Sequence, residues 1–66
     1  MTYTEKTIAG TWYTINSTAP ATVTETIDGE ISELVTLEKS GFEAFRAAGA
    51  SITVETEGKY RILPFK

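Results

Sequence analysis

Carboxylates are the side chains in this sequence that could support acid-base chemistry. The chain has nine Asp and Glu residues, no His and no Cys. Glu25 and Glu33 would face each other across a predicted hairpin, and two carboxylates about 5 to 10 Å apart can share acid and base roles. The plainer interpretation, which we favour, is that both are solvated residues on a sheet surface.

Nucleophilic and cofactor chemistry lack the residues that they need. A hydroxyl nucleophile requires a base to activate it, and without His no Lys or carboxylate spacing singles out such a base. The five glycines are scattered singly, so they do not form a phosphate-binding loop, and the lack of Cys and His argues against zinc. We therefore expect no enzyme, no cofactor and no metal site.

Aromatic and arginine side chains are the candidates for binding a partner, since such residues commonly anchor protein interfaces. Trp12 and Tyr13 are adjacent in a predicted strand and should therefore point to opposite faces of its sheet. Tyr60, Arg61 and Phe65 add candidates near the end of the sequence. We predict that these five residues contact a protein partner, with packing in a small core as the alternative for each ring.

Length and charge favour a small acidic domain. We expect a single domain, residues 1–66, and a chain near this size buries only about 60% of the surface that it exposes when unfolded. Its stability will be marginal, and without Cys the remaining support is association with a partner or a second copy. The net charge of −3 argues against nucleic acid, because such binding depends on Lys and Arg contacts with phosphates.

Localisation signals are few. No stretch of the sequence approaches the roughly 20 apolar residues that span a bilayer. The first residues lack the basic flank and apolar centre of a signal peptide. We expect no membrane association and a cytoplasmic protein, or a virion component if the source is viral. Asn16 begins a glycosylation pattern that we interpret as part of a turn leading to Pro20.

Most of the sequence has the residue types and the alternation of β-strands. Residues 21–27 alternate strictly, with Ala21, Val23 and Ile27 on one face and threonines on the other. This pattern predicts a half-buried antiparallel strand whose threonine row faces solvent.

The following segment, residues 31–38, is ambiguous. The Asp-Gly pair at 28–29 is a hairpin turn signal. A hairpin that loops through residues 28–30 would pair Ile27 with Ile31, Val23 with Val35 and Ala21 with Leu37. The same register would set the two carboxylates named above opposite each other, which is unfavourable. The apolar spacing also fits a helix. We favour the strand and keep the helix as the alternative.

Residues 40–49 predict the one helix of the chain. Ser40 and Glu43 form a capping box, and Phe42 and Phe45 then fall on one helical face. A helix of two turns is too short to be stable alone in water. We therefore expect both phenyl rings to dock on a sheet.

Three further strands complete the prediction. Residues 7–16 form the first, with a bulge at Gly10. Residues 50–56 and 59–63 form the last two as a hairpin, and Pro64 should end that strand or place it on an edge. The order β-β-β-α-β-β predicts a mainly β (α+β) fold, namely a small five-stranded antiparallel barrel or sheet with one short helix, OB-like or SH3-like.

Two functions fit these features. The first is a non-catalytic protein-binding or assembly module, which would bind or self-associate through outward aromatic residues and exposed sheet edges. Acidic proteins of this size are frequent among viral and phage gene products, as virion components or as inhibitors of a host protein. The alternative is an OB-like single-stranded nucleic-acid-binding protein whose rings stack on bases. Nucleic-acid binding would need a basic groove, and the six Lys and Arg residues of this chain are dispersed in the sequence. We therefore prefer the first function.

Overall fold

The computed structural model describes residues 1–65, which form seven β-strands. In chain order these are β1 (Thr2–Lys6), β2 (Trp12–Ser17), β3 (Ala21–Ile27), β4 (Glu30–Leu37), β5 (Gly41–Arg46), β6 (Ser51–Thr56) and β7 (Tyr60–Pro64). Four strands form one antiparallel sheet in the order β1-β6-β3-β4, and three form a second in the order β5-β2-β7. The predicted mainly β class is confirmed.

The core lies between the two sheets. Successive residues of a strand point to opposite faces, so every second side chain of β2, β3 and β6 points inward. The buried apolar residues come from both sheets and from the segment after β5: Tyr13, Ile15, Ala21, Val23, Phe45, Ala47, Ile52 and Val54. Each large side chain among them contributes about 1.5 to 3 kcal/mol by leaving water.

β3 and β4 form the predicted hairpin. Asp28 and Gly29 have φ angles of 54° and 81°, and a type I′ turn requires a positive φ at both central residues. Val23 pairs with Val35 as predicted, and the ambiguous segment is a strand. The helical alternative for that segment is therefore wrong. The predicted pairing of Ile27 with Ile31 is also wrong, because the turn has two residues and Ile27 pairs with Glu30.

A β-bulge after Val23 changes the second half of this pairing. Glu25 lies opposite Ser32 instead of opposite Glu33. Glu33 is exposed and accepts a hydrogen bond from Thr36 Oγ1 at 2.6 Å, whereas Glu25 is buried with 4% of its surface exposed. The bulge thus removes the unfavourable opposition of two carboxylates, and the acid-base pair that the sequence allowed does not form. The interpretation that we favoured, two solvated carboxylates, is right for Glu33 and wrong for Glu25.

The Glu25 carboxylate holds the segment that leads from β5 to β6. It accepts hydrogen bonds from the backbone N–H groups of Ala48, at 3.1 Å, and Gly49, at 3.3 Å. Hydrogen bonds to an ionised acceptor are stronger than bonds between neutral groups. Glu25 therefore ties β3 of one sheet to the chain segment that leaves the other sheet.

Glu25→Ala should lower the free energy of unfolding by about 1 to 3 kcal/mol, because the two backbone N–H groups lose their buried acceptor. Urea denaturation measures this difference. Glu55→Ala, which removes an exposed carboxylate from β6, is the matched control and should change stability by no more than about 0.5 kcal/mol. Equal losses in the two variants would contradict the structural role of Glu25.

Residues 40–49 do not form the predicted helix, and β5 occupies this part of the chain instead. β5 pairs with β2 along its whole length, with Phe45 opposite Tyr13. Alternation buries Phe45, which is 2% exposed, and leaves Phe42 70% exposed on the other face. A two-turn helix has little stability of its own, whereas the strand gains a ladder of backbone hydrogen bonds with β2.

The number of strands and the partner of the last strand also differ from the prediction. The polar N-terminal residues form β1, which pairs with β6 along its whole length. Both edges of β6 are then occupied, by β1 and β3, so β7 cannot be its hairpin partner and pairs with β2. Pro64 ends β7, which is an edge strand, as predicted.

The predicted strand 7–16 is shorter than expected. Gly10, with a φ of 84°, lies in a turn in which the Thr11 N–H donates to the Ile8 carbonyl at 3.1 Å. β2 begins only at Trp12, and the predicted bulge is a connection between the two sheets. Since β1 and β7 do not pair, residues 1–65 form an open two-sheet structure and not an OB-like or SH3-like barrel.

Candidate binding surface

The outer side of the three-stranded sheet carries the candidate site. β2 points Tyr13 and every second residue after it into the core, so Trp12 and every second residue after it point outward. The register of β5 and β7 adds their outward residues, and the Phe65 N–H donates to the Trp12 carbonyl at 2.8 Å beyond the end of β7. We name the resulting surface the outer aromatic face: Trp12, Thr14, Asn16, Phe42, Ala44, Arg46, Arg61, Leu63 and Phe65.

These residues form three rows across the sheet, with neighbouring strands about 5 Å apart. The rows are Arg46-Trp12-Phe65, Ala44-Thr14-Leu63 and Phe42-Asn16-Arg61. Each of the two outer rows thus combines an arginine with at least one aromatic ring. The central row supplies smaller or aliphatic side chains between them.

Four large apolar side chains of the outer aromatic face are exposed to solvent. The exposed fractions are 50% for Trp12, 70% for Phe42, 46% for Leu63 and 55% for Phe65. Trp12, Leu63 and Phe65 are neighbours on β2 and β7, whereas Phe42 lies at the opposite corner of the face. Single exposed apolar residues are ordinary, but a group of neighbouring ones can mark a surface used for interaction. The outer aromatic face therefore has the properties of a docking site.

The outer face of the four-stranded sheet is built differently. Its threonines come from all four strands, and not only from the one strand that the sequence pattern indicated: Thr2, Thr4, Thr22, Thr24, Thr26, Thr36 and Thr53. Glu33 and Glu55 lie among them, and within residues 1–65 this face has no aromatic ring. It lacks the large side chains that dominate binding energies.

Two arginines make the outer aromatic face locally basic. Arg46 Nε donates to the Gly10 carbonyl at 3.2 Å, and Arg46 lies opposite Trp12 in the register. Among the residues that the structure describes, no acidic side chain belongs to this face, because Glu43 of β5 lies opposite Ile15 on the inward side. An acidic protein with a net charge of −3 thus carries a positive surface around exposed rings.

A shallow depression of about 370 Å³ lies at the Arg61 end of this face. Its lining residues are Asn16, Ser17, Thr18, Lys59, Tyr60 and Arg61. Two cationic side chains beside an amide and hydroxyl groups can bind a carboxylate through charge-assisted hydrogen bonds.

The structure brings three of the five predicted partner-binding residues together. Trp12, Arg61 and Phe65 all belong to the outer aromatic face. Tyr13 is instead a core residue, 7% exposed, and Tyr60 is half-buried on the inward side of β7. The partner-binding role of the three surface residues stays a prediction, and the two tyrosines do not belong to the proposed surface.

Both tyrosines have structural contacts that explain their positions. The Tyr13 ring stacks on Phe45 with the centroids 5.8 Å apart, and its hydroxyl accepts a hydrogen bond from the Ile8 N–H at 2.8 Å. The Tyr60 ring lies tilted against Tyr3 with the centroids 5.2 Å apart. Trp12 therefore points outward and Tyr13 points inward, as predicted for adjacent residues of a strand.

Sequence reasoning missed Phe42, Arg46 and Leu63. The first two were hidden by the helix prediction, which placed Phe42 beside Phe45 on a buried face. A strand assignment of the same segment puts Phe42 and Arg46 on the outward side of β5. The signal that could have found Phe42 and Arg46 is period-two alternation, which puts them on one side of a strand and Glu43 and Phe45 on the other.

Tyr60 connects the two sheets at their open side. Its hydroxyl donates a hydrogen bond to the Glu5 carboxylate of β1. Burial is the main cause that raises the pKa of Tyr60 to about 12, and the bond to Glu5 and its charge act in the same direction. The protonated phenol is thus favoured by folding.

Stability should fall as pH rises from about 10 to about 12, because the phenol of Tyr60 ionises at the lower value when unfolded and at the higher value when folded. Its contribution is fully present below this window. Denaturation in urea at several alkaline pH values measures the effect, and Tyr60→Phe should show a smaller fall in the same window. Parallel curves for the two proteins would contradict the assignment.

Other kinds of site find little support in the described part of the chain. No group of three or more carboxylates lies close enough there to hold a metal ion. A membrane-spanning helix is not found among these residues either. Comparison with known proteins finds no family model, no curated protein and no solved structure that matches the chain. Function must therefore be inferred from the chemistry of the outer aromatic face.

Proposed function

We propose that this chain is a non-catalytic protein-binding module that docks on a protein partner through the outer aromatic face. The observation that carries the proposal is the grouping of Trp12, Phe42 and Phe65 with Arg46 and Arg61 on one sheet face. Aromatic residues and arginine are enriched in protein interfaces, and Trp and Arg often supply most of the binding energy.

The chemistry of the face defines the partner. Exposed rings gain most when they enter apolar pockets, and guanidinium groups pair best with carboxylates. A partner surface with apolar pockets and an acidic rim would therefore be complementary, and Arg61 with the adjacent depression would receive one of its carboxylates. Such charge complementarity mainly sets specificity and the rate of association.

The positions of the carboxylates support a non-catalytic role. The Glu25 carboxylate is buried and accepts hydrogen bonds from backbone N–H groups, and Glu33 is exposed on the four-stranded sheet. Neither carboxylate belongs to the depression beside Arg61. The chemistry available at the proposed surface is binding chemistry.

The biological setting that we propose is that of a small viral or phage protein, either a virion component or an inhibitor of a host protein, acting in the virion or the cytoplasm. Size and acidity are the reasons for this choice. Pairing through the sheet edges, which are β1, β4, β5 and β7, is a further route to association. We prefer the outer aromatic face because side-chain anchors as well as backbone groups are available there.

Single-stranded nucleic acid is the second candidate partner. Exposed rings next to Arg46 and Arg61 can stack on bases and contact phosphates. The net charge of −3 opposes it, because nucleic-acid affinity comes mainly from cations on phosphates. In titrations with a fluorescent single-stranded oligonucleotide we expect no saturable binding. Saturable, salt-dependent binding that Trp12→Ala abolishes would favour nucleic acid over a protein partner.

Affinity capture from a lysate of the source organism tests the proposed function. Wild-type protein and Thr53→Ala, changed on the opposite sheet face, should both retain a protein that Trp12→Ala does not retain. That protein is then identified, purified and titrated against each variant by calorimetry, and Trp12 fluorescence reports contact at the face in the two proteins that retain the indole. If the wild-type protein and both variants retain the same proteins from the lysate, the proposal is overturned.

A further inference from the structure

On the basis of the proposed function, we infer that the partner of the outer aromatic face is a second copy of this chain, which docks through the tip of its β3–β4 hairpin. The hairpin tip is defined as residues 27–31. Charge and apolar complementarity between the two surfaces support this pairing. The module would then act in self-assembly.

The hairpin tip has the chemistry that the outer aromatic face requires. Ile31 is 73% exposed and lies opposite Thr26, whereas Ile27 is 41% exposed and lies opposite Glu30 on the other face of the hairpin. A tip that docks end-on therefore presents one large apolar side chain on each side to the rings. Asp28 and Glu30 are exposed between them and can pair with guanidinium groups. Five consecutive residues thus offer two apolar groups and two carboxylates.

The tip is presented in one defined conformation. A two-residue turn closes the hairpin, and Asp28 and Gly29 both have positive φ angles. Ile27 pairs with Glu30, and Thr26 pairs with Ile31, so the ladder continues to the turn. A preorganised element loses little conformational entropy on binding, which favours association.

The two surfaces of one molecule cannot meet each other. The hairpin belongs to the four-stranded sheet, whereas the outer aromatic face points away from that sheet on the far side of the core. A contact between them therefore joins two molecules. Because the two surfaces differ, the contact is heterologous, and repetition produces a closed ring or an open chain of copies.

Face-to-face pairing of two outer aromatic faces is less favourable. It would bring four arginines into one interface, Arg46 and Arg61 from each copy. Among the described residues the face has no carboxylate to offset this repulsion. Like charges brought together at an interface disfavour association. The hairpin tip supplies the missing carboxylates.

Light scattering across a range of protein concentrations, combined with two charge reversals, tests the inference. The mass of the wild-type protein should at least double between dilute and concentrated solution. Glu30→Lys, at the tip, and Arg61→Glu, on the face, should each remain monomeric. An equimolar mixture should regain assembly, because the intact tip of Arg61→Glu can dock on the intact face of Glu30→Lys, and the two reversed charges are also opposite in sign.

Glu38→Lys is the matched control, since it reverses an exposed charge at the other end of β4, and it should assemble like the wild type. A strictly monomeric wild-type protein would overturn the inference and leave docking on a different protein to the capture experiment. Assembly that Glu30→Lys leaves intact would also overturn it, and a strengthening by Arg61→Glu would then indicate face-to-face pairing, because this change reduces the repulsion between arginines. Assembly that neither charge reversal affects would show that neither surface belongs to the interface between copies, and would also overturn the inference.

Discussion

Replacing Phe45 with alanine should lower the free energy of unfolding by about 3 to 5 kcal/mol. Phe45 is 2% exposed and stacks on Tyr13 with the ring centroids 5.8 Å apart. Truncation therefore removes buried apolar surface and leaves a cavity between the sheets. Whole domains are stable by only about 5 to 15 kcal/mol, so the loss is a large part of the total. Chemical denaturation followed by circular dichroism measures it.

Phe42→Ala is the matched control, because it is the same substitution on the same strand. Phe42 is 70% exposed, so its truncation should change the free energy of unfolding by no more than about 0.5 kcal/mol. A helix over residues 40–49 would bury both rings on one face and predict equal losses. Equal losses would therefore contradict the strand assignment of β5.

Trp12→Ala should weaken binding of the captured partner by about 30-fold or more, which corresponds to about 2 kcal/mol. Trp12 lies on the central strand of the three-stranded sheet, with Arg46 on one side and Phe65 on the other. Residues near the centre of an interface are the ones most often fully desolvated on binding, and their truncation costs most. Isothermal titration calorimetry with the purified partner measures the change.

Two observations make this result interpretable. Thr53→Ala, which truncates a side chain on the opposite sheet face, should bind as the wild type does. The circular dichroism spectrum of Trp12→Ala should match that of the wild type, because the indole is half-exposed and outside the core. Wild-type affinity in a correctly folded Trp12→Ala protein would remove the outer aromatic face from consideration.

Local features of the chain were predictable where a single short-range rule applied. The type I′ turn at 28–29, the pairing of Val23 with Val35 and the inward position of Ile52 and Val54 all follow from residue type and period-two alternation. Each depends on neighbours within about a dozen residues. The lack of His and Cys can likewise be read from the sequence alone.

Pairing between distant strands was not predictable in the same way. Whether β7 lies beside β6 or β2 depends on β1, which occupies the free edge of β6 from the far end of the chain. The bulge after Val23 leaves Leu34 of β4 without a partner and sets Glu33 opposite Thr24. Glu25 points inward by the alternation of β3, but the backbone N–H groups of Ala48 and Gly49 that bond to it come from a distant segment. No local pattern encodes these relations.

The candidate site shows the same division. Residue types alone selected Trp12, Arg61 and Phe65 as possible anchors, because aromatic and arginine side chains have that chemistry wherever they lie. They share one surface with Phe42 and Arg46 only because β5 forms beside β2. The sequence pattern of residues 40–49, taken alone, favoured a helix. Short segments have weak intrinsic preferences, so burial of Phe45 and backbone pairing across the sheet outweighed the capping and spacing signals of the helix.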